Sequence, residues 1–340
     1  MKLNRVCVVM MSAVGDAVHV LPLLHALKRA NPATHVTWVL QPVPASLVRG
    51  HPLVDEIVLF ERHAGLRGFR DIRSALHDRA FDLVLNLQVY FKAGVITAFT
   101  GAPVKLGFDR ERARDFNWLF TTHRIPPHAM QHVQDQYFEF TDWLGVGHEP
   151  VAWGLGPWDG ERAWQREFYA PLERPAAAIV VATSKAEKDW LPERWAEVCD
   201  ALVADFGLQP VLVGGRTPRE EHAERVILEK ARHRPVSALG CGLRGLVSIF
   251  DGAALVLSPD TGPLHISVAL DRPVVSLIGY SNPKRVGPYR KYGDLMIDAY
   301  GEPGEDYPVS MENRRGRMPR ISVRDVLDRV ERWRTRYANG

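Results

Sequence analysis

Side chains able to handle anions and protons gather in four short segments of this 340-residue chain. The first, SAVGDAVH (Ser12 to His19), directly follows an apolar run. Asp16 there could accept a proton from a hydroxyl, or it could serve the start of a helix as an N-cap. His19, one turn on, suits packing. The second segment, ATSKAEKDWLPERW, sets Thr183 and Ser184 at the end of a strand and then offers Lys185 and Lys188. Hydroxyls, loop amides and ammonium groups together make an anion site, although a solvated charged loop has the same composition. The third, VLVGGRTPREE, places Gly214 and Gly215 at another strand end, where absent side chains let a ligand approach the backbone. Glu220 or Glu221 then falls in the first turn of a helix. A carboxylate there complements the helix dipole, or accepts a hydrogen bond from a ribose hydroxyl.

The fourth segment, SPDTGPLHISVALDRPVVSLIGY (Ser258 to Tyr280), is the densest. Asp260, Thr261 and Gly262 form a turn between strand and helix, and Pro263 suits the first helical position. The free amides of such a helix start, with the Thr261 hydroxyl, are donors for a phosphate, and the partial positive charge of the terminus adds to them. His265 lies in the first turn, placed to donate to an oxyanion or to pack as a core histidine.

The elements that must position these residues alternate along the chain. RVCVVMM, HVTWVL, EIVLF and FDLVLNLQ read as strands, with helical patterns over Ala17–Ala30 and FRDIRSALHD between them. Continuous apolar strands alternating with helices imply a parallel sheet covered on both faces. Between about Gly145 and Ala176 the composition turns to glycine, proline and tryptophan, as in an interdomain connection. The alternation then restarts with AAIVVAT, QPVLVGG, VSALG, ALVLS and PVVSLIG as strands. A final amphipathic helix, Ser322 to Tyr337, carries a Val323, Val326, Leu327, Val330, Trp333 stripe. In open α/β sheets ligands bind beyond the carboxyl ends of the strands, where all four segments fall.

Composition narrows the function classes. With 46% hydrophobic and 24% charged residues the chain is a globular protein large enough for two cores. A net charge of +3 is far from the concentrated field of a dedicated nucleic-acid binder. Cys7, Cys199 and Cys241 lie far apart in apolar segments, as buried reduced thiols of a cytoplasmic protein. The apolar run near the N-terminus is too short for a secretion signal and breaks at Gly15-Asp16, and no stretch approaches the ~20 apolar residues of a membrane span. The loop after the first strand lacks GxGxxG spacing, which removes the main support for an NAD-dependent dehydrogenase.

Taken together, GDAVHVLPLLHALKRANP, TSKAEKDWLPERW and SPDTGPLHISVALDRPVVSLIG resemble the hallmark segments of bacterial glycosyltransferase family 9, the ADP-heptose:lipopolysaccharide heptosyltransferases. The resemblance covers the first forty or so residues and most of 178–290. It implies two Rossmann-like β/α/β domains facing a central cleft (GT-B type): residues 1–155 holding the acceptor, and residues 156–340, with the C-terminal helix, holding the nucleotide sugar. By position it makes Asp16 the general base and Lys188 the diphosphate-contacting lysine, with Lys185 a second candidate. It assigns Thr183, Glu220, Asp260, Thr261, Gly262 and His265 to the nucleotide-sugar site, to which the strand-end readings above add Ser184 and Gly215.

The reaction so implied is a single inverting displacement of heptose from ADP-heptose onto a Kdo or heptose hydroxyl of a lipopolysaccharide core precursor. No metal or other cofactor is expected, because no DxD-like motif stands in the matched segments. Arginines at 62, 67, 70 and 73, and at 110, 112 and 114 beside FNWLF, suggest docking on the cytoplasmic face of the inner membrane, or simply solvated faces. Two rivals share the pattern: a sugar-nucleotide epimerase of similar fold, which needs no acceptor, and a non-catalytic nucleotide-sugar-binding protein.

Overall fold

The computed structural model describes residues 3–338. The chain divides into two compact units, Met1–Gly154 and Leu155–Gly340. The first contains β1 (Arg5–Val9), α1 (Val14–Ala30), β2 (His35–Leu40), α2 (Pro42–Val48), β3 (Glu56–Leu59), α3 (Gly65–Leu76), β4 (Leu83–Asn86), α4 (Phe91–Phe99), β5 (Val104–Gly107), β6 (His123–Arg124) and α5 (Val133–Leu144). Its strands form one sheet in the order β3-β2-β1-β4-β5-β6, and every pairing is parallel. Val8 on β1 sits between Trp38 and Leu85, and the central strand is apolar and buried from Val6 to Val9, as expected of a parallel strand covered on both faces.

The second unit contains α6 (Asp159–Tyr169), β7 (Ala176–Val180), α7 (Pro192–Ala204), β8 (Gln209–Val213), α8 (Pro218–Lys230), β9 (Val236–Ser237), α9 (Gly242–Gly252), β10 (Leu255–Pro259), α10 (Gly262–Ala269), β11 (Val274–Ile278), α11 (Pro283–Val286), β12 (Ile297–Asp298) and α12 (Val323–Arg336). Its sheet runs β12-β11-β10-β7-β8-β9, again all parallel. Counted within its own unit, each sheet has the order 3-2-1-4-5-6. That order reverses direction between the first and fourth strands, and the reversal opens a crevice at their carboxyl ends.

Local chemistry explains the boundaries. Asn31-Pro32 ends α1, with the Asn31 amide closing on the Leu27 carbonyl. Residues Ala17 to Leu24 of α1 are all buried, as expected of a helix with the sheet on one side and α5 on another. The stripe of α12 packs as its spacing predicts: Val326, Val330 and Trp333 are buried and Val323 and Leu327 lie against the same core. That core is anchored by Trp190 and Trp195, edge to face at 4.6 Å, and the Trp190 indole donates to the Ile321 carbonyl at 3.0 Å.

Three expectations need correction. The segment taken as a connection between Gly145 and Ala176 contains an eleven-residue helix, α6, whose Gln165 and Tyr169 bond to carbonyls of α9. Its Trp158 amide donates to Glu161, whose carboxylate also pairs with Arg244, so charge and cap chemistry overrode a loop-like composition. Gly262 rather than Pro263 is the first residue of α10. Cys7 and Cys199 are buried as expected, with burial pushing each thiol up to about 12, but Cys241 is only half-buried.

Candidate active site

In the N-terminal unit the loop after β1 and the start of α1 bring Asp16 to the crevice between β1 and β4. Asp16 is the third residue of α1, not its N-cap. Its Oδ2 accepts the Ala13 amide at 2.9 Å, and its Oδ1 accepts the Tyr137 hydroxyl from α5 at 3.1 Å. The carboxylate is thus held from two sides while remaining half-exposed. His19 packs, as its spacing suggested: it is buried, with Nδ1 3.0 Å from Gln134 Oε1, while Gln134 Nε2 donates back to the His19 carbonyl at 2.9 Å. This ladder fixes α5 to α1 and so fixes Tyr137 over Asp16.

Gln88, just past β4, ties the other side of the crevice. Its Oε1 accepts the Met11 amide at 3.2 Å and its Nε2 donates to the Ser12 carbonyl at 2.7 Å. Beside it opens a cavity of about 460 Å³ lined by Ser12, Gln88, Tyr90, Phe91, Arg62 and Lys92. Cations and aromatic faces at its wall suit an anionic sugar. Gln88 and Tyr137 had no motif to announce them. Gln88 occupies a strand end, the position the fold singles out; Tyr137 lies far away in sequence, and only the packing of α5 reveals it.

In the C-terminal unit the corresponding crevice lies between β7 and β10. The loop after β7 is rigidly tied: Asp189 Oδ1 accepts the Thr183 amide at 2.6 Å, and Arg219 donates to both Asp189 Oδ2 at 2.9 Å and the Thr183 carbonyl at 2.8 Å. Burial raises the Asp189 carboxyl above its ordinary range, even though Thr183 and Arg219 pull the other way. The Thr183 hydroxyl donates to the Lys185 carbonyl at 2.7 Å. Ser184 and Lys185 are exposed, and the Lys185 ammonium stands 5.8 Å from the centre of the Tyr280 ring.

Lys188 reaches out of this loop to the one after β10, where its ammonium meets Asp260 Oδ2 at 2.5 Å. Asp260 is buried, so the pair is held in a low-dielectric corner at the start of α10. Thr261 is the N-cap residue with an extended backbone, and its side chain does not cap the helix. Pro263 has no amide hydrogen, which leaves the Thr261 and Gly262 amides as donors at this end. His265 is buried one turn in. Lys188 and Asp260 thus meet at the end of β10, with Thr261 and Gly262 next in the chain and His265 in the first turn of α10.

Gly215 and Glu220 form a different arrangement. Glu220 Oε1 accepts the Gly215 amide at 2.7 Å, and Oε2 accepts the Thr217 amide at 2.9 Å and hydroxyl at 2.6 Å, making a capping box for α8. A Cβ on Gly215 would lie 2.9 Å from Glu220 Oε2, so the glycine makes room for this carboxylate. The arginine clusters also divide. Arg112 is half-buried and tied up in an ion network with Asp109 and with Glu139 at 2.6 Å, which takes its charge out of the docking surface. Arg62, Arg67, Arg70, Arg73, Arg110 and Arg114 are exposed. Among the described residues no group of three or more His, Cys, Asp or Glu is placed to hold a metal ion, and no helix is long and apolar enough to cross a membrane.

Two doubly wound units, each with the strand order 3-2-1-4-5-6, have the architecture of the GT-B class of glycosyltransferase folds. Residues 69–304 match the family model of glycosyltransferase family 9 (heptosyltransferase), and the chain belongs to that family. It is therefore a heptosyltransferase-type enzyme, which decides against the epimerase and the non-catalytic binder. It is 27% identical over 338 residues to the lipopolysaccharide core heptosyltransferase OpsX of Haemophilus influenzae, covering 97% of this chain and 96% of that protein. Two solved structures share the fold. A glycosyl transferase family 9 protein from Veillonella parvula superposes with a TM-score of 0.82 at 23% identity, covering 98% of this chain and 97% of that one. The E. coli heptosyltransferase WaaC with ADP gives 0.73 at 24%, covering 99% and 100%.

Proposed function

We propose that this protein transfers heptose from ADP-heptose to a sugar hydroxyl of a lipopolysaccharide core precursor, with inversion at the anomeric carbon. The observation that carries the proposal is the Lys188–Asp260 pair at the start of α10, an anion cradle at the switch point of the C-terminal sheet. Relatives named for lipopolysaccharide core transfer, and a structural neighbour holding ADP, support the donor and acceptor classes.

Asp16 takes the proton of the acceptor hydroxyl as that oxygen bonds to the anomeric carbon. The anomeric carbon–phosphate oxygen bond breaks with its electron pair, and ADP leaves. Negative charge grows on the diphosphate in the transition state, where a preorganised donor contributes about 3 kcal/mol. Lys188, the Thr261 and Gly262 amides and His265 supply such donors, so no metal is needed for that step. Asp260 keeps the Lys188 ammonium at the helix start between turnovers.

The acceptor's carboxylates and phosphates suit the cavity beside Ser12, with Arg62 and Lys92 at its wall. The same unit exposes Leu66 at 89%, Phe116 at 65% and Leu119 at 59%, among exposed arginines. Apolar side chains ringed by cations fit the anionic cytoplasmic leaflet that carries a lipid-linked acceptor. The decisive variant is Asp16→Ala. It should abolish transfer while leaving ADP affinity nearly unchanged by calorimetry; normal turnover would remove Asp16 from the base role. Transfer should also survive chelation by EDTA, and a rate that collapses with chelator and returns with a divalent cation contradicts the metal-free step.

A further inference from the structure

Beyond β12 the chain makes an ordered strap, residues 299–320, most of it outside the family match that ends at residue 304. Its own residues hold it together. Arg314 grips Glu305 through both carboxylate oxygens at 2.7 and 2.6 Å, stands 4.4 Å from the Tyr300 ring centre, and donates to the Tyr300 carbonyl at 3.1 Å. Arg317 and Arg320 both pair with Glu302. The strap is also pinned to the end of β11. Arg314 donates its amide to the Tyr280 carbonyl at 2.9 Å, Ser281 bridges Asn313, and Asn282 Nδ2 donates to the Pro308 carbonyl at 2.8 Å.

Arg315 differs from these neighbours. Its side chain is 80% exposed, and its guanidinium stands 3.7 Å from Glu187 in the loop after β7. In the sheet, β10 lies between β11 and β7. A side chain that starts from the β11 end and reaches the β7 loop therefore spans the end of β10, where Lys188, Asp260 and the start of α10 form the anion cradle. An exposed ion pair of this kind is weak and easily exchanged. A diphosphate offers more charge and a geometry that matches the guanidinium fork.

We propose that Arg315 is a further diphosphate contact for the nucleotide-sugar donor, delivered over the cradle by the strap, with Glu187 holding it there until the donor binds. This rests on the cradle being the donor site. Calorimetry with ADP on the full chain tests both. Arg315→Ala should weaken ADP about fivefold, the upper range for an exposed charge, and Arg315→Lys should recover part of the loss. Glu187→Gln should bind ADP as tightly as the parent or more so. If Arg315 served only to brace the loop through Glu187, Glu187→Gln would weaken ADP as much as Arg315→Ala does, and the proposal fails. Lys188→Ala is the reference. ADP weakened by Lys188→Ala but untouched by Arg315→Ala overturns the Arg315 contact alone; ADP untouched by both overturns the donor site and the contact with it. Because Arg315 is exposed, its variants should melt with the parent.

Discussion

In the proposed mechanism Asp16 takes a proton, and its carboxylate is held by two donors, the Ala13 amide and the Tyr137 hydroxyl. A phenol hydrogen bond favours the charged form, so removing it disfavours ionisation. In Tyr137→Phe the acid limb of the kcat profile should move to higher pH and kcat should fall about tenfold, with donor KM little changed. An unmoved limb would reduce Tyr137 to packing. Lys188→Ala should lower kcat about a hundredfold, because its charge meets one that grows in the transition state. A loss confined to KM would make Lys188 a ground-state contact only. The placement of Asp16 and Lys188 just after strands was legible in the sequence. Tyr137 and Arg219 were not, since each acts by closing a distance of tens of residues that no local pattern records.

At the scale of elements, the same carboxylate type plays two parts. Asp16 and Glu220 each sit at the third position of a helix after a strand. Glu220 spends both oxygens on Gly215 and Thr217, whereas Asp16 shares its second oxygen with a side chain from another helix. Glu220→Ala should therefore cost about 1 kcal/mol in urea denaturation, as lost caps do. A change within error would release Glu220 from its capping role. Strand and helix alternation, and the stripe of α12, were readable because periodicity records burial directly. α6 was missed because its start looks like a turn: the residues that make it a helix include Glu161, and the partner of Glu161 is Arg244 on α9. Likewise the arginine spacing around Arg112 does not record its ion pairs with Asp109 and with Glu139, the second of which the packing of α5 supplies.

Over the whole molecule, acid should act in two windows. Burial lowers the His25 pKa below its ordinary value, with Arg29 adding to the effect and the Trp153 carbonyl opposing it. The unfolded chain then binds that proton first, so stability falls as pH drops below about 6.5. Asp55 and Asp294 are held below the usual carboxylate range despite burial, Asp55 by the Val36 amide and Lys28, Asp294 by Tyr337 and Arg336. Their contribution is present above about pH 4 and is lost as pH falls through their folded values. His25→Asn should flatten the melting temperature between pH 7 and 5 and leave the lower window intact; an unaltered slope would assign the upper window elsewhere. Exposed Leu66, Phe116 and Leu119 predict co-sedimentation with vesicles that rises with anionic lipid content and falls with salt. Binding indifferent to lipid charge would contradict that surface.

The central claim is group transfer, and one assay meets it directly. The purified chain is incubated with ADP-heptose and, in turn, lipid acceptors ending in Kdo or in a first heptose, and the lipid is weighed by mass spectrometry. One of these acceptors should gain one heptose for each ADP released, and only when both substrates are present. Acceptors that both keep their mass while the protein is folded and binds ADP would contradict the account.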